Sequence, residues 1–184
     1  MAPGPLAFDP IAEARRQWSL RWDCADAMAA ATSIMRVQQI VLGAVDKVLS
    51  DLGLTFARYE ALVLLHFSRR GSLPLGKMGE RLQVHPTSVT NLIDRLEDQG
   101  LVRRTRHPTD RRTTLAEITD AGRCMVEQAS EAVVSTGFAL DGLTGEELGT
   151  LTAILRKARL NAGDFLGPGP GPSGAWAPDS RASE

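Results

Sequence analysis

The chain has 184 residues, 43% of them hydrophobic and 23% charged, which suits one domain of ordinary size with a packed core. Its formal net charge of −1 argues against a uniformly basic nucleic-acid-binding protein, so any contact with nucleic acid has to come from a local excess of positive charge. No apolar run approaches the roughly 20 residues needed to cross a bilayer, and no basic leader precedes a hydrophobic block, so we expect a cytoplasmic protein without a membrane partner.

The first third of the chain predicts helices. Residues 1–10 are expected to be flexible, and residues 11–53 are expected to form N-terminal helices. Within that range Ile34, Val37, Val41, Val45, Val48 and Leu52 repeat at intervals of three or four residues, which predicts a long helix ending before Gly53. A shorter helix around Trp18 and Trp22 precedes or joins it. The next segment, Thr55 to Arg70, is nearly apolar on all sides and predicts a centrally buried helix.

Two short helices separated by a tight corner follow. Leu75, Met78, Gly79 and Leu82 predict the first helix, and only three residues separate it from Pro86, which suits the first position of the second. Apolar residues in the second helix fall at i, i+3, i+4 and i+7, namely Val89, Leu92, Ile93 and Leu96. Gly100 predicts a left-handed ending, with Leu101 folding back onto Leu96. This order of elements is typical of a helix-turn-helix.

A basic hairpin is predicted directly after Gly100. Residues 101–105 and 113–118 favour extended structure through Val, Thr and Ile, and the segment between them contains Pro108, Thr109 and Asp110 as turn formers. Residues 69–112 contain 10 basic and 5 acidic residues, a local net charge of +5, while residues 1–68 and 113–184 carry −1 and −5. The positive charge therefore coincides with the helix-turn-helix and the hairpin, which indicates DNA binding.

These segments together resemble the MarR family of bacterial transcriptional regulators. The resemblance extends closely from Leu54 to Arg123 and includes LGKMGERLQVHPTSVTNLIDRLEDQGLVRRTRHPTDRRTTLAEITDAGR. It implies a mainly α fold with a small β-hairpin wing, in which residues 54–118 form a winged helix-turn-helix with flanking dimerisation helices. It also implies a dimeric regulator that responds to a ligand. Gln83, where many relatives have Gly, and His85, where a Ser or Thr usually caps the recognition helix, depart from the family pattern.

The exposed face of the second helix and the hairpin supply the expected DNA contacts. Asn91 suits adenine, Arg95 suits guanine or phosphate, and Asp94 is expected to orient Arg95. In the wing, Arg111 is the first candidate for insertion into the minor groove, and Asp110 is expected to brace the wing by holding Arg112 or Arg95. The full set of expected DNA-binding residues is Thr87, Ser88, Thr90, Asn91, Arg95, Arg103, Arg104, Arg106, Arg111 and Arg112.

Helices are also predicted after the hairpin. Thr119 opens a helix through about Phe138, and Thr144 with Glu147 forms a capping-box pattern before another apolar stripe. Residues 119–166 are expected to form C-terminal dimerisation helices, because the outer helices have more apolar surface than the DNA-binding region of one chain (residues 54–118, the DNA head) can cover. A twofold dimer would present two recognition helices to an inverted-repeat operator. The Pro, Gly and Ser content of residues 167–184 predicts a disordered tail, and docking through Trp176 remains open.

The effector and the mode of control are less constrained. The family's ligand pocket lies between the dimerisation helices and the DNA head, so the resemblance implies a pocket lined from among Trp22, Met28, Met35, Arg36, Arg58 and His66. A role in core packing explains each of these residues equally well. The most favoured function is a repressor that a small aromatic or amphipathic molecule releases from DNA.

The sequence leaves three alternatives to this function. Cys24 and Cys124 raise a thiol-based redox switch, although a plain buried or partly buried thiol is the stronger expectation. A winged helix that binds a protein partner instead of DNA is the second alternative. An enzyme has little support, because the sequence has no phosphate-binding glycine loop, no nucleophile and base at recognisable spacing and no metal-ligand cluster. We therefore expect no cofactor and no metal, with His66 a satisfied core histidine.

Overall fold

The computed structural model describes residues 4, 6–110 and 112–167. Most of these residues are helical, and a small antiparallel sheet accompanies the helices. The helices are α1 (Pro10–Ser19), α2 (Ala25–Ser50), α3 (Phe56–His66), α4 (Leu75–Leu82), α5 (Pro86–Asp98), α6 (Asp120–Val134) and α7 (Gly145–Asn161). The strands are β1 (Ser72–Pro74), β2 (Val102–Arg106) and β3 (Thr114–Ile118), and a short 3-10 helix spans Gly137–Ala139. This is the predicted fold class, a mainly α winged helix-turn-helix.

The chain divides into two compact units within α2, at Ala44 and Val45. The first unit contains α1 and most of α2. Within it, the indole of Trp18 donates a hydrogen bond of 2.9 Å to the Asp23 carbonyl oxygen, and Arg15 pairs with Asp26 at 2.5 Å. These contacts join the end of α1 to the start of α2. Helix α1 begins at Pro10, whose preceding Asp9 caps it, so ordered structure starts slightly earlier than the sequence predicted.

The core of the second unit forms where α3 packs against α4, α6 and the sheet. The last turns of α2 contribute Val45 and Leu49 to this core, both fully buried. The remaining large, fully buried side chains come from α3, α4, α5, β2 and α6; they are Leu62, Leu65, Met78, Val89, Ile93, Leu96, Val102 and Val133. The apolar stripe predicted for the second helix of the helix-turn-helix is therefore confirmed as a core-facing surface.

The sheet has three strands in the order β1-β3-β2, one more than the sequence predicted. Strands β2 and β3 form the predicted hairpin, with Val102 opposite Ile118 and Arg106 opposite Thr114. Strand β1 pairs with the other edge of β3, placing Leu73 opposite Ala116. Its three residues include a proline and are too few to show an alternating pattern, so the sequence offered little signal for it.

Helix α3 is shorter than predicted, since it ends at His66 rather than near Arg70. The hydroxyl of buried Ser68 donates a hydrogen bond of 2.7 Å to the Leu65 carbonyl oxygen, and the chain then turns at Gly71, where φ is +65°. A serine that bonds the backbone in this way competes with helix continuation. Phe67 consequently falls outside the helix and is 60% exposed, which corrects the expectation that this segment is buried throughout.

The C-terminal helices form, with one boundary shifted. Thr119 caps α6 through a 3.0 Å bond from the Gly122 amide, and Thr144 with Glu147 forms the complete capping box of α7. Helix α6 ends at Val134, four residues before the predicted Phe138, which lies in the 3-10 helix with a left-handed φ of +54°.

Helix α2 is notable for its exposed apolar surface. With 26 residues and a hydropathy of 1.3 over its most apolar window, it is long and apolar enough to cross a membrane, although only 6% of that window is buried. The sequence predicts no membrane span, because no apolar run approaches the roughly 20 residues needed to cross a bilayer. Length and composition alone are weak evidence for a membrane helix, and a helix that packs against another protein chain shows the same composition.

Candidate nucleic-acid interface

The interface begins with the turn between α4 and α5. Gln83 adopts a left-handed backbone with φ +53° and ψ +40°, and the following Val84 amide donates to the Gly79 carbonyl oxygen at 3.1 Å. Glycine adopts this conformation without strain, which explains why a glycine suits this position in related sequences. A Cβ on Gly79 would come within 3.2 Å of the Val84 carbonyl oxygen, so small size there lets the turn pack closely.

Helix α5 starts as predicted, with Pro86 at its first position. His85 is the N-cap, and its Nδ1 accepts a hydrogen bond of 3.3 Å from the Thr87 amide. The imidazole therefore occupies the capping role for which serine or threonine is usually preferred. The departure at His85 is thus compensated by His85 itself.

The end of α5 is also as predicted. Gly100 has φ +72°, its amide donates to the Glu97 carbonyl oxygen at 2.9 Å, and the Leu101 amide donates to the Leu96 carbonyl oxygen at 2.9 Å. These two bonds define a Schellman ending. Gln99 adds a bond of 3.0 Å to the Gly53 carbonyl oxygen, which ties this end of α5 to the loop before α3.

One side of α5 is polar and open to solvent. The core holds Val89, Ile93 and Leu96, while the opposite side presents short hydroxyl, amide and guanidinium groups. The exposed members of this face are Thr87, Ser88, Thr90, Asn91, Asp94 and Arg95. A protruding helix with such groups has the shape and the hydrogen-bonding capacity that a DNA major groove accepts.

The tip of the wing is organised by two side chains that accept hydrogen bonds. His107 Nδ1 accepts from the Asp110 amide at 3.1 Å. The Asp110 carboxylate accepts from the Arg112 amide at 3.0 Å and from the Thr113 hydroxyl at 2.6 Å. The Thr113 bond, followed by the Arg112 amide, lowers the pKa of Asp110. Asp110 therefore braces the wing, but through the neighbouring backbone and Thr113 rather than through the side chain of Arg112 or Arg95.

The arginines of the interface fall into two groups. Arg103 pairs with Glu117 across the hairpin at 2.7 Å, and Arg104 pairs with Asp94 at 2.5 Å and with Glu97. Within residues 6–110 and 112–167, the exposed guanidinium groups of Arg95, Arg106 and Arg112 form no ion pair. Asp94 therefore pairs with Arg104 and not with Arg95, which corrects the sequence expectation. Arg111 lies outside the described residues.

The six residues proposed for the effector pocket are divided between the two units. Trp22, Met28, Met35 and Arg36 belong to the first unit, and Arg58 and His66 to the second. Trp22 contacts Trp18 in a tilted arrangement, with ring centroids 4.9 Å apart and an interplanar angle of 52°, and the Arg58 Nε donates to the Thr55 hydroxyl at 3.3 Å.

His66 is not the satisfied core histidine that the sequence predicted. Its Nδ1 is buried and has no hydrogen-bond partner among the described residues. The ring lies edge-on to Phe67, with centroids 5.5 Å apart. A buried polar atom of this kind is available to a hydrogen-bonding ligand or water.

Two open clefts lie in the DNA head, on either side of α4. One, of about 550 Å³, lies between the start of α4 and the wing tip and includes His107, Asp110 and Arg112. The other, of about 560 Å³, lies between α4 and α5 and includes Gln83, Pro86 and Thr90. Neither includes a residue proposed for the effector pocket.

Both cysteines are free and exposed. This contradicts the expectation of a buried or partly buried thiol at Cys24 and Cys124. Cys24 also has a left-handed backbone, with φ +61°, at the start of α2. Solvent access is one of the conditions that a reactive thiol needs, so the exposed positions keep the redox alternative open.

Comparison with known protein families matches residues 54–114 to the MarR family. Among curated proteins, the organic hydroperoxide resistance transcriptional regulator of Bacillus subtilis (strain 168) is 34% identical over 107 residues, which is 58% of this chain and 71% of that protein. The segment matched to the family contains α3, the helix-turn-helix, β2 and the tip of the wing, and it ends at the first residue of β3.

Solved structures extend the similarity to the flanking helices. Sco5413, a MarR family transcriptional regulator from Streptomyces coelicolor, is 56% identical with a TM-score of 0.71, covering 76% of this chain and 97% of its own. Sco3205 from the same organism, determined in complex with DNA, is 26% identical with a TM-score of 0.70 and coverages of 77% and 90%. CouR from Rhodococcus jostii RHA1, bound to p-coumaroyl-CoA, is 28% identical with a TM-score of 0.65 and coverages of 75% and 95%.

Proposed function

Because the chain belongs to the MarR family of transcriptional regulators, we propose that it represses transcription as a homodimer bound to an inverted-repeat operator. A small aromatic or amphipathic molecule would release it. Like its relatives, the chain is a transcriptional regulator and not an enzyme. Its place of action would be the cytoplasm, where the chromosome of a bacterium lies.

The observation that carries this proposal is the exposed polar face of α5, together with Arg106 and Arg112 of the wing, which form no ion pair with any described residue. The side chains of Asn91 and Arg95 would read bases in the major groove, and Arg106 and Arg112 would contact phosphates. Insertion of Arg111 into the minor groove remains a prediction. Arg103 and Arg104, which the sequence also predicted as DNA-binding residues, are both engaged in ion pairs.

Dimerisation is supported by the apolar side chains that the single chain leaves in solvent. On α2 these include Ile34, Met35, Val37 and Ile40, and on α7 Ile154 is 62% exposed. A twofold axis that buries such surfaces would also place two recognition helices about 10 bp apart on one face of the duplex. We therefore propose that residues 11–53 and 119–166 act as dimerisation regions and that residues 54–118 act as the DNA head.

A small molecule would control this dimer by changing the spacing of its two DNA-binding regions. A ligand that binds more tightly to the dimer when the spacing of its two DNA-binding regions does not fit DNA lowers operator occupancy, and the size of the effect is set by that difference in affinity. A coupling free energy of about 1–3 kcal/mol is typical. CouR, which binds p-coumaroyl-CoA, supports an aromatic ligand class. The Nδ1 of His66, which is buried without a hydrogen-bond partner in the described part of the chain, supports His66 as a hydrogen-bonding member of the pocket.

The direct test is a gel-shift titration of the full chain with duplex DNA from around its own gene, at several salt concentrations. We expect saturable retardation and a steep fall in affinity with salt, because phosphate contacts release counterions. Failure to shift any duplex at low salt would reject DNA binding, and binding to a protein partner that hardly changes with salt would favour the scaffold alternative. Aromatic carboxylates and their thioesters are the first effectors to titrate against the complex.

Thiol control is the second candidate, favoured by the exposure of both cysteines. The similarity to a regulator of organic hydroperoxide resistance also supports it. Peroxide would then weaken DNA binding in the native chain but not in the variant that carries Cys24→Ala and Cys124→Ala. An identical response of the two proteins would eliminate this candidate.

A further inference from the structure

Arg104 makes an unusual number of contacts with the recognition helix. From the second strand of the sheet, its Nη2 donates to Asp94 Oδ1 at 2.5 Å and to the Thr90 carbonyl oxygen at 3.4 Å, and its Nη1 donates to Glu97 Oε2. Its backbone amide donates to Glu97 Oε1 at 3.0 Å. One wing residue thus bonds to three residues of α5.

The three helix residues lie on one face of α5. Positions 90, 94 and 97 follow the i, i+4, i+7 spacing, so they line up along the side of the helix that faces β2. The planar, forked donor set of a guanidinium matches acceptors spread in this way, and the single ammonium group of a lysine does not. The geometry is therefore specific to arginine.

The setting of Arg104 differs from that of its neighbour Arg103. The Arg104 side chain is 26% exposed, whereas that of Arg103 is 64% exposed and pairs with Glu117 on the adjacent strand. Consecutive residues of a strand point to opposite faces. Although burial acts to lower the pKa of Arg104, the hydrogen bonds that its guanidinium donates to Asp94 and Glu97 raise it, so the guanidinium remains charged.

We propose that Arg104 is a positioning residue, which fixes α5 against the wing and neutralises Asp94 and Glu97, and that it does not bind a phosphate. This inference rests on the proposed DNA-binding function. Without Arg104, two carboxylates on the recognition helix would lose their counter-charge next to the approaching phosphates. The hydrogen bonds from Arg104 that hold α5 at its angle to the wing would also be lost.

The test compares DNA affinity over a range of salt concentrations for the native chain and the variants Arg104→Ala, Arg104→Lys and Arg103→Ala. Loss of hydrogen bonds between charged groups predicts a weakening on the order of tenfold for Arg104→Ala. Because no phosphate contact is removed, the slope of log affinity against log salt should not become shallower. Lysine should fail to restore affinity, because it lacks the forked geometry. A slope shallower by about 0.9, with recovery in the lysine variant, would overturn the proposal.

A double-mutant cycle isolates the role of the carboxylates. In a background of Asp94→Asn and Glu97→Gln, replacing Arg104 by alanine should cost much less affinity than in the native chain, because the charges that it neutralises are gone. Equal losses in the two backgrounds would contradict the proposal. The Arg103→Ala variant controls for removal of one positive charge from the same strand.

Hydrogen exchange without DNA separates this inference from the proposed function. Arg104→Ala should raise the exchange of backbone amides in residues 102–106, with Arg103→Ala as the control, whether or not the protein binds DNA. Unchanged exchange in the folded variant would refute the positioning role. If the native chain binds no DNA and Arg104→Ala still raises the exchange, the proposed function is rejected and the link between α5 and the wing is retained.

Discussion

Gly122, in the first turn of α6, lies so close to the Leu101 carbonyl oxygen that a Cβ on residue 122 would come within 2.2 Å of it. The same carbonyl accepts the Thr119 amide at 3.1 Å. The Thr119 hydroxyl donates to the Gly100 carbonyl oxygen at 2.8 Å and accepts the Gly122 amide at 3.0 Å. The end of the recognition helix, the start of the wing and the start of α6 therefore meet at one closely packed junction.

The close approach predicts that Gly122→Ala destabilises the protein. The obstructing atom is backbone and cannot rotate away, so α6 would have to shift from Leu101, and overpacking of this kind typically costs about 1–3 kcal/mol. The free energy of unfolding from urea denaturation, monitored by circular dichroism, measures the loss. Gly76→Ala is the matched control, because a Cβ there meets nothing within 4 Å. Equal stability of the two variants would show that the junction is not close-packed.

The proposed dimer predicts that a charge on the exposed apolar stripe of α7 separates the protomers. Ile154→Glu places a carboxylate where two apolar surfaces would meet, and an unpaired buried charge is costly. Light scattering after size exclusion should show a shift toward monomer, with a parallel loss of affinity for an inverted repeat. Ala153→Glu, an exposed neighbour about a quarter-turn away, should remain dimeric. A dimer that survives Ile154→Glu would contradict the assignment of α7 to the interface.

The wing predicts different effects for two substitutions of Asp110. Asp110→Ala removes the acceptors of the Arg112 amide and the Thr113 hydroxyl, whereas Asp110→Asn keeps one carbonyl oxygen as an acceptor. The alanine variant should therefore show faster amide exchange at residues 112 and 113 and weaker DNA binding, with the asparagine variant between it and the native chain. If the two variants behave alike and like the native chain, the wing does not depend on this carboxylate.

The features that the sequence predicted well are local. Pro86 at the start of α5 and Gly100 at its end act through the backbone of their own segment, and the core stripe of Val89, Ile93 and Leu96 follows from helical spacing alone. Strand β1 was missed because its existence depends on β3, more than 40 residues later in the chain. Sequence periodicity contains no information on such a pairing.

The local composition of the chain predicted where the candidate site lies, but the sequence assigned the wrong ion-pair partner to Asp94. The positive charge of the wing located the interface, but charge alone does not distinguish a free guanidinium from one held by carboxylates. Asp94 is adjacent to Arg95 in sequence, yet neighbouring helix residues point apart, and the partner of Asp94 is Arg104 on β2. The cue that was available is the pair of acidic residues, Asp94 and Glu97, on the side of α5 that precedes a basic strand.

The capping box of α7 predicts a pH dependence. The Thr144 amide, followed by the Thr144 hydroxyl, lowers the pKa of Glu147 from its ordinary value of 4.5. A lowered carboxyl pKa stabilises the folded helix above pH 4.5, and this contribution is lost as the pH falls through the lowered value. Carbon-detected NMR titration should therefore give Glu147 a lower pKa in the native chain than in the Thr144→Ala variant. Equal values in the two proteins would show that the Thr144 hydroxyl does not help to hold the carboxylate.

The polar face of α5 predicts which substitutions change sequence preference and which change affinity alone. Asn91 offers an amide that pairs with adenine, and Arg95 offers a guanidinium that pairs with guanine, each contact discriminating by about 1–3 kcal/mol. Selection of bound sites from random duplexes should show that Asn91→Ala relaxes the preference at one position of each half-site. Arg95→Ala should relax another position if it reads guanine, or make the salt dependence shallower if it contacts phosphate. The Arg106→Ala variant is the control, because a phosphate contact at the wing should weaken binding to all selected sites alike. An unchanged consensus in the Asn91→Ala variant would remove this residue from the base-reading set.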